Sequence, residues 1–221
     1  MKITKYIHSC LLLEKDNDKI LFDPGLFSFA EGKVKPSQFK NLTAIILTHC
    51  HPDHIDDESL AQIIENNPDV VVLANGEIKS KLAEKKIEVE KFESGTRKAG
   101  NFNLEAFDAP HEKLLADEIP QNTAYIVNDI FVHPGDSLAE SIFKKKGTKV
   151  LALPMMAPWE TELQTFDFAK KMSPQQVVPI HDGYAKDFFL ESRYQTFMKF
   201  LKRENIEFNW MSKPGDFLEI E

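Results

Sequence analysis

The sequence predicts an α/β protein in which two packed β-sheets are covered on their outer faces by helices. Three observations support this fold class. Short apolar runs alternate with helical patterns in the first 85 residues, short strands follow one another between residues 87 and 133, and the alternation resumes after residue 148. Because strands run through the whole chain and helices occur in both halves, two sheets with outer helices accommodate both patterns.

The first half of the chain begins with strands. The predicted strands are 2–14, 19–23, 43–48 and 70–74, of which the last two are continuous apolar runs typical of strands buried on both faces. The predicted helices of this half are 57–66 and 76–85. An open, doubly wound sheet has a similar alternation, but the chain lacks the Gly-rich nucleotide loop of that fold.

The middle and the second half continue the same pattern. The predicted middle strands are 87–92, 98–109, 122–127 and 130–133. The later strands are 148–153, 176–180, 206–210 and 216–220, and the later helices are 160–171 and 186–204. The Phe-rich part of the last helix has the spacing of a core-packing helix. No linker divides the chain, so residues 1–221 are expected to form a single domain.

Composition argues against several functional classes. The 221 residues are 42% apolar and 28% charged, which is ordinary for one compact domain. A net charge of −8 disfavours a surface for phosphate backbones, so nucleic acid is not an expected partner. Neither a membrane span nor a secretory signal is predicted. The two cysteines form no disulfide framework, which favours a cytoplasmic protein without membrane contact. The oligomeric state is not predicted.

The stretch LTHCHPDHIDD, residues 47–57, contains three of the seven histidines of the chain. His49 and His51 lie two residues apart, so in extended backbone they point to the same side and can bind one ion. Pro52 resists helix at the preceding residue, and the resulting turn directs Asp53 and His54 towards a second ion. Imidazole suits zinc and other transition metals, and carboxylate adds an oxygen ligand. The pattern therefore predicts metal binding.

One segment cannot complete two metal sites, so further ligands must come from elsewhere. His111 in DAPHEK, Asp136 in HPGDS and His181 in VPIHDG each follow a predicted strand. Ends of strands are positions where a rigid scaffold can hold a site. These three residues are the candidates for the remaining ligands.

These motifs resemble those of the metallo-β-lactamase superfamily. THCHPDH is similar to its T-H-x-H-x-D-H signature, and His111, Asp136 in a Gly-Asp-Ser context and His181 are similar to its later ligand motifs in the same order. FDPG around Asp23 resembles its early strand-end aspartate. IHSCLLLE and the DPG loop most resemble the branch of ascorbate-6-phosphate lactonase-like metal-dependent hydrolases, although Ile7 stands where that branch often has glycine.

The resemblance implies a four-layer αββα sandwich of two mixed β-sheets flanked by helices. It also implies two divalent ions, with zinc favoured and Mn and Fe as alternatives. His49, His51 and His111 would hold one ion, Asp53, His54 and His181 the other, and Asp136 and a water or hydroxide would bridge them. Asp23 would orient ligands without binding metal. His8 would either face the site or be an ordinary strand histidine.

The resemblance and the ligand pattern together predict a metal-dependent hydrolase. A hydroxide between the two ions would attack an ester, lactone or phosphodiester of a small-molecule substrate, without a serine or cysteine nucleophile. Asp53 is the candidate for proton transfer. Loops 24–38, 112–121 and 154–160 are expected to shape the substrate pocket, although packing is the favoured role of 154–159.

Other functions on the same fold remain alternatives. A mononuclear iron persulfide dioxygenase-like oxidoreductase keeps a similar His-rich motif. Diiron oxygen-reducing relatives usually have Glu where His51 stands, and zinc β-lactamases place a cysteine where Asp136 stands. A complete ligand set argues against a non-catalytic metal-binding protein, and the acidic charge argues against an RNA-processing nuclease.

Two further residues near the motifs are assigned structural roles. His133, directly before Pro-Gly-Asp, is expected to be structural. Cys50 lies between two candidate ligands, but strand alternation points it away from them. It is therefore expected to be a small buried apolar residue.

Overall fold

The computed structural model of the chain describes residues 1–220, so Glu221 of the predicted domain lies outside the described residues. A first sheet has seven strands: β1 (Lys2–Lys5), β2 (Leu11–Lys15), β3 (Asp18–Phe22), β4 (Ala44–Ile46), β5 (Val71–Ala74), β6 (Glu90–Lys91) and β14 (Phe217–Glu219). Their spatial order is β14-β1-β2-β3-β4-β5-β6. Pairing is antiparallel from β14 to β3 and parallel from β3 to β6.

A second sheet also has seven strands and repeats this arrangement. Its strands are β7 (Gly95–Ala99), β8 (Phe102–Asp108), β9 (Thr123–Val127), β10 (Phe131–His133), β11 (Val150–Pro154), β12 (Gln176–Ile180) and β13 (Glu207–Phe208). Pairing is antiparallel from β7 to β10 and parallel from β10 to β13. Both sheets are therefore mixed, as the predicted fold requires.

Helices cover the outer face of each sheet. They are α1 (Leu26–Phe29), α2 (Asp57–Glu65), α3 (Gly76–Ala83), α4 (Glu162–Met172) and α5 (Asp187–Arg203). One apolar cluster lies between the sheets, a second joins the first sheet to α2 and α3, and a third joins the second sheet to α4 and α5. The four-layer αββα prediction is confirmed. Within residues 1–220, every helix is too short or too polar to cross a membrane.

Two long predicted strands are in fact hairpins. The predicted strand 2–14 is divided by a turn in which Cys10 N–H donates to the Ile7 carbonyl and His8 has φ 63°. The predicted strand 98–109 is divided at Gly100, which has φ 54°. Apolar residues continue on both sides of the first turn, and a left-handed histidine carries no turn signal of the kind that Gly or Asn gives.

The strand ends place the candidate ligands together. Asp23, the THCHPDH segment, His111, Asp136 and His181 follow β3, β4, β8, β10 and β12, respectively. Within each sheet these strands run in the same direction, because two antiparallel steps separate β8 from β10. The carboxyl ends of such strands meet at one edge of the sheet, where the site is built.

Candidate metal centre

The THCHPDH segment forms a tight turn after β4. The backbone N–H groups of His54 and Ile55 both donate to the His51 carbonyl, at 3.0 and 2.9 Å. Pro52 lies inside this turn, as predicted, and its carbonyl accepts from Leu26 N–H at 2.8 Å. The turn therefore brings Asp53 and His54 back beside His49, and the DPG loop holds it in place.

The first set of ligand atoms comes from His49, His51, His111 and Asp136. One atom from each of these residues lies within 4.8 Å of the others. His49 Nε2 is 3.1 Å from His51 Nδ1, and His111 Nε2 is 3.5 Å from Asp136 Oδ2. Nitrogens bound to one tetrahedral zinc at roughly 2.1 Å lie a little over 3 Å apart, so this spacing fits a shared ion.

The second set is formed by Asp53, His54 and His181, with His8 beside them. His181 Nε2 lies 3.5 Å from Asp53 Oδ2 and 2.9 Å from Asp136 Oδ2. His54 Nε2 is 3.2 Å from the other oxygen of Asp136, Oδ1. The Asp136 carboxylate therefore contacts ligand atoms of both sets.

The ring tautomers leave one nitrogen of each inner histidine available to a metal. The Nδ1–H groups of His111 and His181 donate to the carbonyls of Glu112 and Met156, each at 2.6 Å. Because a carbonyl can only accept, the proton is on Nδ1 and the lone pair is on Nε2. His54 follows the same rule, since its Nδ1–H donates to the Asp23 carboxylate at 2.8 Å.

Several of these buried polar atoms have no hydrogen-bond partner within residues 1–220. They are Nε2 of His54, His111 and His181 and Oδ1 of Asp136. Leaving a buried polar atom unpaired costs about 1–3 kcal/mol, so four that converge on one space require a common partner. Imidazole nitrogens and a carboxylate are the donor set of zinc and related ions. The residues therefore fit a divalent metal.

Asp23 orients one ligand of each set. Its buried carboxylate accepts from His54 Nδ1 at 2.8 Å and from the Thr48 hydroxyl at 2.7 Å. That hydroxyl in turn accepts from His49 Nδ1–H at 3.1 Å. The arrangement agrees with the role that the resemblance implies, in which a carboxylate fixes ligand tautomers from outside the metal site.

His8 is a hydrogen-bond donor to the site. Gly183 N–H donates to His8 Nδ1 at 3.0 Å, so the ring proton is on Nε2, which lies 3.1 Å from Asp53 Oδ2. Burial, and next the neighbouring His181, lower the pKa of His8 to about 4, which keeps the ring neutral. His8 Nε2–H therefore donates to Asp53 and presents no lone pair to the site. His8 lies in the β1–β2 turn, so the prediction that it lies within a strand was wrong.

Three of the site residues have left-handed backbone conformations. Asp23, His8 and His181 have φ of 41°, 63° and 61°. Such conformations cost about 1–3 kcal/mol for residues other than glycine and persist where the surroundings enforce them. Here they turn the chain sharply after β3, β1 and β12, which directs the three side chains towards the site.

The electrostatics of the site suit a cation. Burial lowers the pKa of His49 well below its usual value, so its lone pair stays available. Burial would raise the pKa of Asp136, but His181 and His54 hold it far below the usual range. Burial opposes the charged form of His54, yet the charges of Asp136 and Asp23 outweigh it and raise the pKa. A divalent ion at this place would take over from the His54 proton in neutralising the Asp136 and Asp23 carboxylates.

Sequence reasoning missed two residues that hold Asp136. Trp159 Nε1–H donates to Asp136 Oδ2 at 3.1 Å, and the Asn122 side-chain oxygen accepts from Asp136 N–H at 3.1 Å. Met155 and Met156 of the 154–159 segment are buried in the core, as the predicted packing role requires. Trp159 of the same segment instead contacts Asp136. The apolar composition around Trp159 gave no hint of this contact, and nothing in the sequence distinguishes Asn122 from other loop amides.

Of the two residues assigned structural roles, one behaves as predicted. His133 lies outside both sets, stacks on Phe22 at 5.1 Å between ring centroids and accepts from Gly135 N–H. Cys50 points away from the ligands but is not an apolar core residue. It is only half-buried, its thiol donates to Glu77 at 3.2 Å, and Lys81 donates to its sulfur at 2.8 Å.

A cleft of about 620 Å³ opens beside the second set of ligands, at Asp53 and His181. Leu26 and Phe27 of loop 24–38 and the 156–158 segment of loop 154–160 line it. Within residues 1–220, loop 112–121 contributes nothing to the lining of this cleft, and the role of these three loops in shaping a substrate pocket stays a prediction.

Comparison with known proteins gives a consistent result. Residues 2–181 match the model of the Beta-lactamase superfamily domain. Protein Rv0786c of Mycobacterium tuberculosis is 33% identical over 193 residues, which cover 83% of this chain and 84% of that protein. A UPF0173 metal-dependent hydrolase of Bacillus velezensis is 28% identical over 201 residues, which cover 82% and 85%.

A solved structure shows the same fold. The metallo-beta-lactamase fold protein YhfI of Bacillus subtilis superposes with a TM-score of 0.72 at 16% identity, and 98% of each chain is covered. The narrower resemblance to ascorbate-6-phosphate lactonase-like proteins stays a prediction. The chain belongs to the beta-lactamase superfamily, and its two packed seven-stranded sheets with outer helices are the metallo-β-lactamase fold.

Proposed function

We propose that this chain is a metal-dependent hydrolase with two divalent ions, zinc being favoured over Mn and Fe, that cleaves an ester, lactone or phosphodiester bond of a small molecule. The ligands of one ion would be His49, His51 and His111, and those of the other Asp53, His54 and His181, with Asp136 shared. The names of similar proteins support the reaction class, since the Bacillus velezensis relative is called a metal-dependent hydrolase.

One observation carries the proposal: the buried, unpaired atoms of His54, His111, His181 and Asp136 converge between the two ligand sets. Two divalent ions held there would lower the pKa of water towards about 7 and polarise the scissile group. The rings are already held in the tautomers that present lone pairs, so the chain binds metal without rearranging these hydrogen bonds.

Asp53 is the proposed proton carrier. Its side chain is 22% exposed, it lines the cleft, and its Oδ2 faces both His8 and His181. Burial would raise its pKa, but the hydrogen bond from His8 and the charges of His54 and its neighbours lower it. The lowered pKa keeps Asp53 ionised but makes it a weak base, so it would accept a proton only transiently at Oδ2 and pass it on to the leaving group.

The proposal is tested by screening esters, lactones and phosphodiesters with the purified protein and with its Asp136→Ala variant. We expect hydrolysis that a chelator abolishes and added metal restores, and we expect the variant to lose bound metal and activity together. Asp69→Ala, at an exposed position away from the site, is the matched control and should behave as wild type. Full activity of metal-poor Asp136→Ala protein would contradict the mechanism, as would oxygen uptake with a persulfide substrate.

A further inference from the structure

The cleft beside Asp53 and His181 is mainly apolar. Leu26, Phe27, Met156, Pro158 and Phe189 contribute to its walls. Phe189 is 51% exposed and Leu26 is 44% exposed, although both are large apolar side chains. Volumes of roughly 300–1,000 Å³ with apolar walls and few polar groups are typical of small-molecule sites, and this cleft of about 620 Å³ falls within that range.

Apart from the candidate metal ligands Asp53 and His181, the charged and hydroxyl side chains of the cleft are already paired. Arg193 is its one lysine or arginine among the described residues, and its guanidinium contacts Glu162 at 2.5 Å and the Met155 carbonyl at 3.1 Å. The Tyr184 hydroxyl donates to the Met156 carbonyl. Among the described residues, the lining therefore offers mainly apolar contact and no uncommitted lysine or arginine.

We propose that the substrate is an uncharged ester or lactone whose apolar acyl or alkyl part lies in this cleft. This inference rests on the proposed function and narrows it, because it excludes phosphodiesters as preferred substrates. The apolar part would lie on the side of Asp53 and His181, away from His49 and His51. Phe189, on the first turn of α5, would be a specificity residue at the mouth of the cleft.

A chain-length series tests the proposal. The substrates are p-nitrophenyl acetate, butyrate and hexanoate, with bis(p-nitrophenyl) phosphate as the anionic comparison, and each kcat/KM is divided by the uncatalysed rate. Full burial of one methylene group raises kcat/KM by up to about fourfold. Hexanoate has four methylene groups more than acetate, so even partial burial should raise the ratio of kcat/KM to the uncatalysed rate at least about tenfold. The phosphodiester should give the lowest ratio.

Two neighbouring phenylalanines provide a matched pair of variants. Phe189→Ala should lower the normalised kcat/KM for hexanoate about tenfold more than that for acetate, because it removes apolar wall that only the longer chain reaches. Phe188 is 73% exposed and does not line the cleft, so Phe188→Ala should match wild type with both esters. Ratios that are flat across the series, or highest for the phosphodiester, would overturn the proposal.

Binding of the uncharged dye Nile red gives a readout that does not depend on hydrolysis. Fluorescence should increase with wild type and with Phe188→Ala, with or without added metal, and should fall with Phe189→Ala. If the dye binds in this way but no substrate is hydrolysed, the proposed hydrolase function is contradicted, while the proposed binding site for an apolar ligand is supported. Equal dye binding by wild type and Phe189→Ala would overturn the apolar-ligand site even if esters are hydrolysed.

Discussion

At the scale of single residues, hydrogen bonds to the second ring nitrogen decide which histidines can bind metal. His54, His111 and His181 each donate from Nδ1 to an oxygen, which leaves Nε2 free for a metal. His8 is the reverse case, because it accepts a backbone N–H at Nδ1 and must donate from Nε2. By distance alone, His8 would be grouped with the metal ligands. Its ring carries the proton on Nε2, the nitrogen that faces the site, so it has no lone pair to offer a metal there.

Replacement of His8 by Phe tests this distinction. The variant keeps a ring in the β1–β2 turn but removes the hydrogen bond to Asp53, so we expect metal affinity or activity to fall about tenfold to a hundredfold. Both ions should still bind at saturating metal, because no ligand is lost. Titration followed by elemental analysis measures this, and a variant that binds one ion fewer at saturation would show that His8 is a ligand.

The residue types in a ligand motif identify the metal-binding atoms, but not the residues that hydrogen-bond to those ligands and hold them in place. His49, His51, Asp53 and His54 could be selected from spacing and from the turn at Pro52. Asn122 and Trp159 could not, since each reaches Asp136 through a contact between segments far apart in the chain. Such partners depend on the tertiary fold, which local patterns do not contain.

At the scale of elements, the buried strands were the most predictable part of the chain. The apolar runs at β4, β5 and β11 gave strands within one or two residues of their observed ends. The hairpin at His8 was missed because apolar sequence continues on both sides of a turn that has no Gly or Asn, whereas the hairpin at Gly100 was missed although Gly100-Asn101 is itself a turn signal. A site residue in a left-handed conformation, as at His8, is held by its tertiary contacts and so escapes prediction from local propensity.

Contact between the DPG loop and the THCHPDH turn gives a prediction at this scale. A Cβ on Gly25 would lie 1.8 Å from the Asp53 carbonyl oxygen and 2.5 Å from His54 N, so Gly25→Ala must separate the two segments. We expect destabilisation by about 1–3 kcal/mol, as in other overpacked sites, together with weaker metal binding. Denaturant unfolding and metal titration measure the two effects.

Gly76 provides the control for this substitution. A Cβ there would meet its nearest neighbour at 3.4 Å, an ordinary contact, and the residue begins α3. Gly76→Ala should therefore leave metal binding unchanged and alter stability by less than about 1 kcal/mol. If Gly25→Ala behaves in the same way, the DPG loop does not hold the ligand turn as described.

At the scale of the whole molecule, two similarly built sheets place strand ends along one edge of the sandwich. Ligands from both sheets meet there, with Asp23, His49 and His54 supplied by the first sheet and His111, Asp136 and His181 by the second. The family and the four-layer arrangement could be predicted because the motifs occur in order over nearly the whole chain. The apolar character of the cleft could not, since loop 24–38, loop 154–160 and α5 form it only after folding.

The central claim is that the two ligand sets hold two ions through a shared Asp136. It is tested most directly by elemental mass spectrometry of protein purified without added metal or chelator. We predict about two zinc ions per chain, or two manganese ions, as expected for a two-metal hydrolytic site. A single iron per chain would contradict it and would favour the mononuclear dioxygenase alternative.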